Sequence, residues 1–150
     1  MIVYLDSSFV IRRLLGVGKA AEFWGKWEKA YASTLMRTEC FRAANQLRLS
    51  GKLDDAARAR LGSWIETVCD TVTQIPITDS IMKRSAEAYP VEVGTLQAIH
   101  LATMQELESV HGVKCVLASD DDGLIQAAKA LGIAEAGDEP AKKPETEEAK

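Results

Sequence analysis

Apolar positions along the chain fall into short unbroken runs, separated by longer stretches in which they recur at helical spacing. Ile2-Val3-Tyr4-Leu5 is the clearest run, the pattern of a strand buried on both faces, and it ends at Asp6-Ser7-Ser8. Phe9 to Leu15 returns to helical spacing and stops at Gly16 and Gly18. A second helix is predicted from Lys19 to about Lys29, with Phe23 and Trp27 four apart on one face. Tyr31 to Leu35 reads as a short strand, followed by a helix to about Leu49 that holds Thr38 and Glu39 in its first turns and closes at Gly51. Leu53 to about Cys69 places Leu53, Ala57, Leu61, Trp64 and Ile65 on one stripe. A strand within Asp70 to Pro76 comes next, then a helix from Thr78 to about Tyr89. Thr95, as N-cap, opens a helix to about Val110. Lys114 to Ser119 reads as the last core strand and runs into Asp120-Asp121-Asp122. Leu124 to Leu131 is helical, Gly132 caps it, and Ile133-Ala134 is a candidate edge strand.

Short strands alternating with helices predict an α/β fold in which helices cover both faces of a central parallel sheet. The pattern ends at Ala134: from Glu135 onward Pro140, Pro144, lysines and glutamates give no periodic apolar face. Residues 135–150 therefore read as a disordered acidic tail, and residues 1–134 as one domain.

Charge sharpens that division. The net charge is -4, and the tail carries six acids against three lysines, so the rest of the chain is near neutral. A broadly cationic nucleic-acid coat is excluded, while a local basic rim is not. Cys40, Cys69 and Cys115 are scattered and odd in number, which reads as reduced core thiols rather than a zinc site. No apolar run approaches about 18 residues and no basic leader with a cleavage site opens the chain, so a cytoplasmic protein is expected.

Three acids fall where chemistry is usual: Asp6 after the first strand, Glu39 in an early helical turn and Asp120 after the last core strand. In a parallel sheet Asp6 and Asp120 emerge at the same edge, where open α/β sheets hold ligands. Carboxylates gathered there repel unless a cation sits among them, and a small set of hard oxygen donors selects Mg²⁺ or Mn²⁺. The plain alternatives are helix capping by Asp6, a solvated Glu39, and macrodipole compensation by Asp120 to Asp122. His100 reads as a hydrogen-bonding core histidine, His111 as a surface residue, and Trp24 and Trp27 as core or interface.

At this point the motifs resemble a known family. Ile2-Val3-Tyr4-Leu5-Asp6-Ser7-Ser8 resembles the opening of PIN domains, in particular the VapC-like toxins of toxin–antitoxin pairs. Ser33 to Ala44, with Glu39, is similar to the second motif, and Thr95-Leu96-Gln97-Ala98-Ile99-His100-Leu101-Ala102-Thr103 to the third. Val116-Leu117-Ala118-Ser119-Asp120 is similar to the fourth, and Ala127 to Ile133 to the helix and turn after it. The resemblance implies a PIN-like three-layer sandwich over residues 1–134. It implies a ribonuclease that cuts RNA with Mg²⁺ or Mn²⁺, pairs as a homodimer and is silenced by a small VapB-like antitoxin. It carries over Asp6, Glu39 and Asp120 as catalytic acids, with Asp6 and Asp120 as metal ligands and Ser7, Gln97, His100 and Asp122 in support. Arg12, Arg13, Arg37, Arg42 and Arg48 are candidates for RNA phosphates, Arg37 and Arg42 foremost because they flank Glu39.

One departure stands out. The third motif usually has an aspartate where this chain has Gln97, which brings no charge. Glu92 and Asp122 are nearby acids that stand off the motif. The implied alternative to a nuclease is a PIN scaffold that binds RNA or an antitoxin with weakened catalysis. A phosphohydrolase of the haloacid-dehalogenase kind would need a second aspartate where Ser8 stands.

Overall fold

The N-terminal apolar run becomes an inner strand of the sheet. The computed structural model describes residues 1–138. Strands β1 (Ile2–Leu5), β2 (Lys29–Ser33), β3 (Thr73–Ile75) and β4 (Val116–Ala118) form an all-parallel sheet in the order β3-β2-β1-β4. The described helices are α1 (Ser7–Leu14), α2 (Ala20–Phe23), α3 (Leu35–Leu49), α4 (Asp55–Thr71), α5 (Asp79–Ser85), α6 (Thr95–His111) and α7 (Asp122–Ala130). The result is a three-layer α/β sandwich. Among the described residues, no helix is long and apolar enough to cross a membrane.

Alternation along β1 sorts the layers. Val3 and Leu5 face one side and pack with Phe9 and Val10 of α1, Met36 and Cys40 of α3, and Leu61 and Ile65 of α4. Tyr4 faces the other side, with Leu101, Met104 and Leu107 of α6 and Leu124 of α7. Val3, Tyr4 and Leu5 are wholly buried, as a strand covered on both faces requires. Burial of Val3 and of Leu5 contributes about 1.5–3 kcal/mol each. Ile81 of α5 joins Ile99 and Ala102 to extend the second layer.

The strand order sets the crevice. From β1 the chain passes to β2 on one side, while β4 returns to β1's other edge, so connections diverge between the carboxyl ends of β1 and β4. Asp6 continues this ladder, its backbone N–H donating to Ala118 O at 3.0 Å.

Several boundaries move from their sequence expectations. The helix expected to reach Lys29 ends at Phe23, because Trp24 turns extended and Gly25 takes φ +79°, which no helix continues. Phe23 and Trp27 still meet, with ring centroids 6.4 Å apart, and Trp24 stacks on Phe9 at 6.0 Å. Strand β2 starts two residues early because it registers against β1, Ile2 opposite Lys29. Helix α5 stops at Ser85, and the Tyr89 hydroxyl donates to Ala98 O at 3.1 Å instead of lying in a helix. Trp64 leaves the buried stripe and is 51% exposed, while Leu61 and Ile65 on that stripe are buried.

Glu135 to Asp138 also depart from the expected tail. Leu117 N–H donates to Ala134 O at 2.8 Å and Ala136 N–H to Leu117 O at 2.7 Å, adding a bridge to the free edge of β4. Glu135 accepts from Lys19 Nζ at 2.7 Å and Lys129 Nζ at 2.9 Å. Open backbone groups on β4, the distant Lys19 and the nearby Lys129 hold this segment, and none of them leaves an apolar period. Residues 139–150, the remainder of the expected tail, lie outside the described residues.

Candidate metal centre

Asp6 ends β1 and caps α1, so the capping and site readings of this residue coexist. Its Oδ2 accepts hydrogen bonds from Ser8 Oγ, from Ser8 N at 3.3 Å and from Ser119 Oγ at 2.9 Å. That clamp leaves Oδ1 turned toward the interior, 3.6 Å from His100 Nε2. Ser7 stands at the edge of this arrangement, its Oγ 3.5 Å from Oδ1. Asp6 is 4% exposed.

Helices α3 and α6 complete the cluster. Ser33 Oγ accepts from Leu35 N at 3.2 Å and starts α3, which brings Glu39 over the end of β1. His100, on α6 and 2% exposed, reaches Glu39 Oε2 with Nε2 at 2.9 Å. Its other nitrogen, Nδ1, lies 2.8 Å from the buried Tyr4 hydroxyl. Ligand atoms of Asp6, Glu39 and His100 all fall within 4.8 Å of one another, close enough to share one cation. Burial alone would lower the imidazole pKa, but the Glu39 hydrogen bond and the charges of Glu39, Asp6 and Asp121 hold it above its ordinary value. Burial, reinforced by the charge of Asp6, pushes the Tyr4 phenol far up, so it stays neutral.

The acids after β4 divide between two sides. Side chains alternate at a strand end, so Ser119 and Asp121 share a side and Asp120 takes the other. Ser119 Oγ meets Asp6 and also accepts from Asp121 N at 3.0 Å. Asp121 caps α7 by accepting from Leu124 N at 3.1 Å, and Gln97 Nε2 donates to its two oxygens at 3.2 and 3.0 Å. Gln97 Oε1 in turn accepts from Gly94 N at 2.9 Å, so Gly94 rather than Thr95 is the N-cap of α6. Asp120 lies outside the Asp6–Glu39–His100 trio. Its backbone N–H donates to Ser8 Oγ at 3.0 Å, and its Oδ2 is buried without a hydrogen-bond partner among the described residues, facing the close approach of Gly18. Asp122 is exposed in the first turn of α7 and acts electrostatically on Lys19, away from the trio.

The charge balance of the crevice is uneven. Among the described residues no lysine or arginine pairs with Asp6, Glu39, Asp120 or Asp121, and His100 is the basic partner of the first two. The arginines expected near phosphate are largely engaged elsewhere. Arg37 pairs with Glu66 and lies over the Phe41 ring at 5.0 Å, Arg48 reaches Asp55, and Arg13 lies over Trp24 at 5.9 Å. Arg42 is exposed, and the Arg12 side chain reaches the Gly18 turn near Asp120. All three cysteines are free and buried, and burial raises each thiol, which leaves them inert core groups.

Sequence reasoning missed Asp121 and Tyr4. Strand alternation from Ser119 pointed to Asp121. Nothing in a buried strand tyrosine announced a histidine partner 96 residues away.

No family model matches the chain, and no curated protein matches it. The solved structures that share the fold include two with TM-scores above 0.5. One is a toxin–antitoxin complex from Klebsiella pneumoniae, 19% identical, with a TM-score of 0.57 over 79% of this chain and 86% of that one. The other is PAE2754 from Pyrobaculum aerophilum, 15% identical, with a TM-score of 0.56 over 90% of this chain and 84% of that one. At these identities the likeness is one of architecture, a parallel sheet sandwiched by helices.

Proposed function

We propose that this chain is a metal-dependent endoribonuclease with a PIN-like fold, a VapC-like toxin that cuts RNA phosphodiester bonds and is restrained by a cognate antitoxin. The observation that carries this reading is the meeting of Asp6 and Glu39 at the switch point of a parallel sheet. Asp121 stands alongside, and no lysine or arginine among the described residues neutralises them. Two hard carboxylates within reach of one another fit Mg²⁺ or Mn²⁺, and on the other side of the strand end the buried Asp120 Oδ2 has no hydrogen-bond partner among the described residues. Asp6 and Glu39 would hold the ion, with Asp120 and Asp121 as flanking acids. When bound, such an ion supplies a polarised water and charge stabilisation at the phosphate. The chain's own part is to fix the carboxylates: Ser8 and Ser119 clamp one oxygen of Asp6 and leave the other free for the crevice.

Purified protein incubated with RNA and Mg²⁺ or Mn²⁺ tests the reading. Wild type is expected to cleave, and Asp6→Ala to lose about a hundredfold or more, the equivalent of about 3 kcal/mol of lost stabilisation. Absence of wild-type cleavage, or equal cleavage by the variant, overturns it. Assembly as a homodimer belongs to the same proposal and is read by light scattering of the chain alone and with its antitoxin.

Gln97 favours a second reading, a PIN-like module that binds RNA or an antitoxin and cuts poorly. Its carboxamide is committed to Asp121 and Gly94, so the crevice is one negative charge short. A wild type that binds RNA tightly and leaves it intact supports this reading over the first.

A further inference from the structure

Asp6 and Glu39 are held in different ways. Asp6 is tied by backbone to β4 and by side chain to Ser8 and Ser119. Glu39 projects from a separate helix on a longer side chain, and among the described residues it accepts a side-chain hydrogen bond from His100 alone. At 2.9 Å this contact requires a proton on Nε2, because a bare ring nitrogen and a carboxylate oxygen are both acceptors. The imidazole cannot swing freely, since Nδ1 is engaged by the Tyr4 hydroxyl at 2.8 Å and the two rings meet edge to face at 74°. Tyr4 stands two residues before Asp6, which continues the β1 ladder, so the alternation aims both toward the α6 side.

We propose that Tyr4 and His100 are positioning residues, a buried strut from β1 that fixes the Glu39 carboxylate beside Asp6, with His100 giving a hydrogen bond rather than a bond to metal. The proposal rests on the metal-centre reading above. The absent acid at Gln97 gives the strut its weight. Asp121 is tethered by the Gln97 amide, so a cation in the crevice depends on the Asp6–Glu39 pair, and among the described residues Glu39 has no other side-chain tether.

Mn²⁺ binding to the full chain, measured by calorimetry or by the paramagnetic resonance of free Mn²⁺, separates a strut from a ligand. His100→Ala removes both the N–H and the nitrogen lone pair. His100→Gln restores an N–H near the place of Nε2–H without an imidazole nitrogen to bind metal. His100→Ala is expected to weaken Mn²⁺ binding about tenfold or more, the size typical for residues that orient a ligand, and His100→Gln to regain most of that loss. Tyr4→Phe keeps the ring, removes the hydroxyl and is expected to weaken binding in the same direction while leaving KM for RNA unchanged. Should His100→Ala melt below the assay temperature, the volume-conserving Gln and Phe variants decide. The proposal is overturned if His100→Gln is as weak as His100→Ala, which would make His100 a ligand. It is equally overturned if His100→Ala or Tyr4→Phe binds like wild type. A wild type that binds no Mn²⁺ removes the metal-centre reading itself, and the strut with it.

Discussion

Gln97 does two jobs with one carboxamide: its oxygen closes the N-terminus of α6 on Gly94, and its nitrogen ties down Asp121. Replacing it with aspartate is therefore expected to act differently without and with a divalent ion. Gln97→Asp shortens the side chain, gives up the cap, and sets a negative charge against Asp121. The variant without divalent ions is expected to be less stable than wild type by about 1 kcal/mol or more in urea unfolding. With Mn²⁺ present the added charge is neutralised, so the deficit should shrink and cleavage should rise above wild type. Equal cleavage by the two proteins would show that the crevice needs no further acid. Residue by residue, the sequence was informative where chemistry coincides with a strand end, as at Asp6, and at Glu39 through its motif. The structure sets Asp120 apart from the Asp6–Glu39–His100 trio, and three consecutive aspartates carry no mark of that placement. Only the position of Ser119 against Asp6 resolves that.

Among the elements, the segment after α7 shows how an ordered piece can lack any periodic signal. Its hold on the edge of β4 consists of two backbone hydrogen bonds and the lysine clasp around Glu135. Burial pushes the Glu135 carboxyl up, but Lys19 and Lys129 outweigh it and set its pKa below the ordinary 4.5. A lowered carboxyl stabilises the fold at pH values above its unfolded pKa and loses that contribution as pH falls through the folded value. Glu135→Gln is therefore expected to melt below wild type at neutral pH, with the gap closing as pH drops below 4.5. A gap independent of pH would assign the effect to packing. Contacts distant in sequence likewise set the helix ends. Gly25 and Tyr89 interrupt runs whose apolar spacing continued to look helical, because the decisive contacts are with Phe9's aromatic neighbours and with the Ala98 carbonyl.

For the whole molecule, alternating strands and helices, with an inner strand apolar on consecutive positions, were enough to read a parallel sheet covered on both faces. Strand order was not legible, because it depends on which edge of β1 each later strand joins. That order creates the crevice, so the site's existence was less visible than its individual acids. A cation there would bridge the end of β1 and α3, and binding should register as global stability. At about a hundredfold excess over its dissociation constant, Mn²⁺ is expected to add about 2.7 kcal/mol and raise Tm by roughly 5–10 °C. EDTA should return the melt to its starting point, and Asp6→Ala should show no rise.

The ladder contact between Asp6 and Ala118 also bears on when the crevice exists during synthesis. The first strand emerges early, followed by Glu39 and later His100, yet the carbonyl that anchors Asp6 and the hydroxyl that clamps it belong to residues 118 and 119. At about 5–20 residues per second, several seconds separate the making of Asp6 from the making of its partners. Through that interval the nascent chain holds its acids unassembled. The crevice is thus completed only when the last strand docks, and the topology itself acts as a timer.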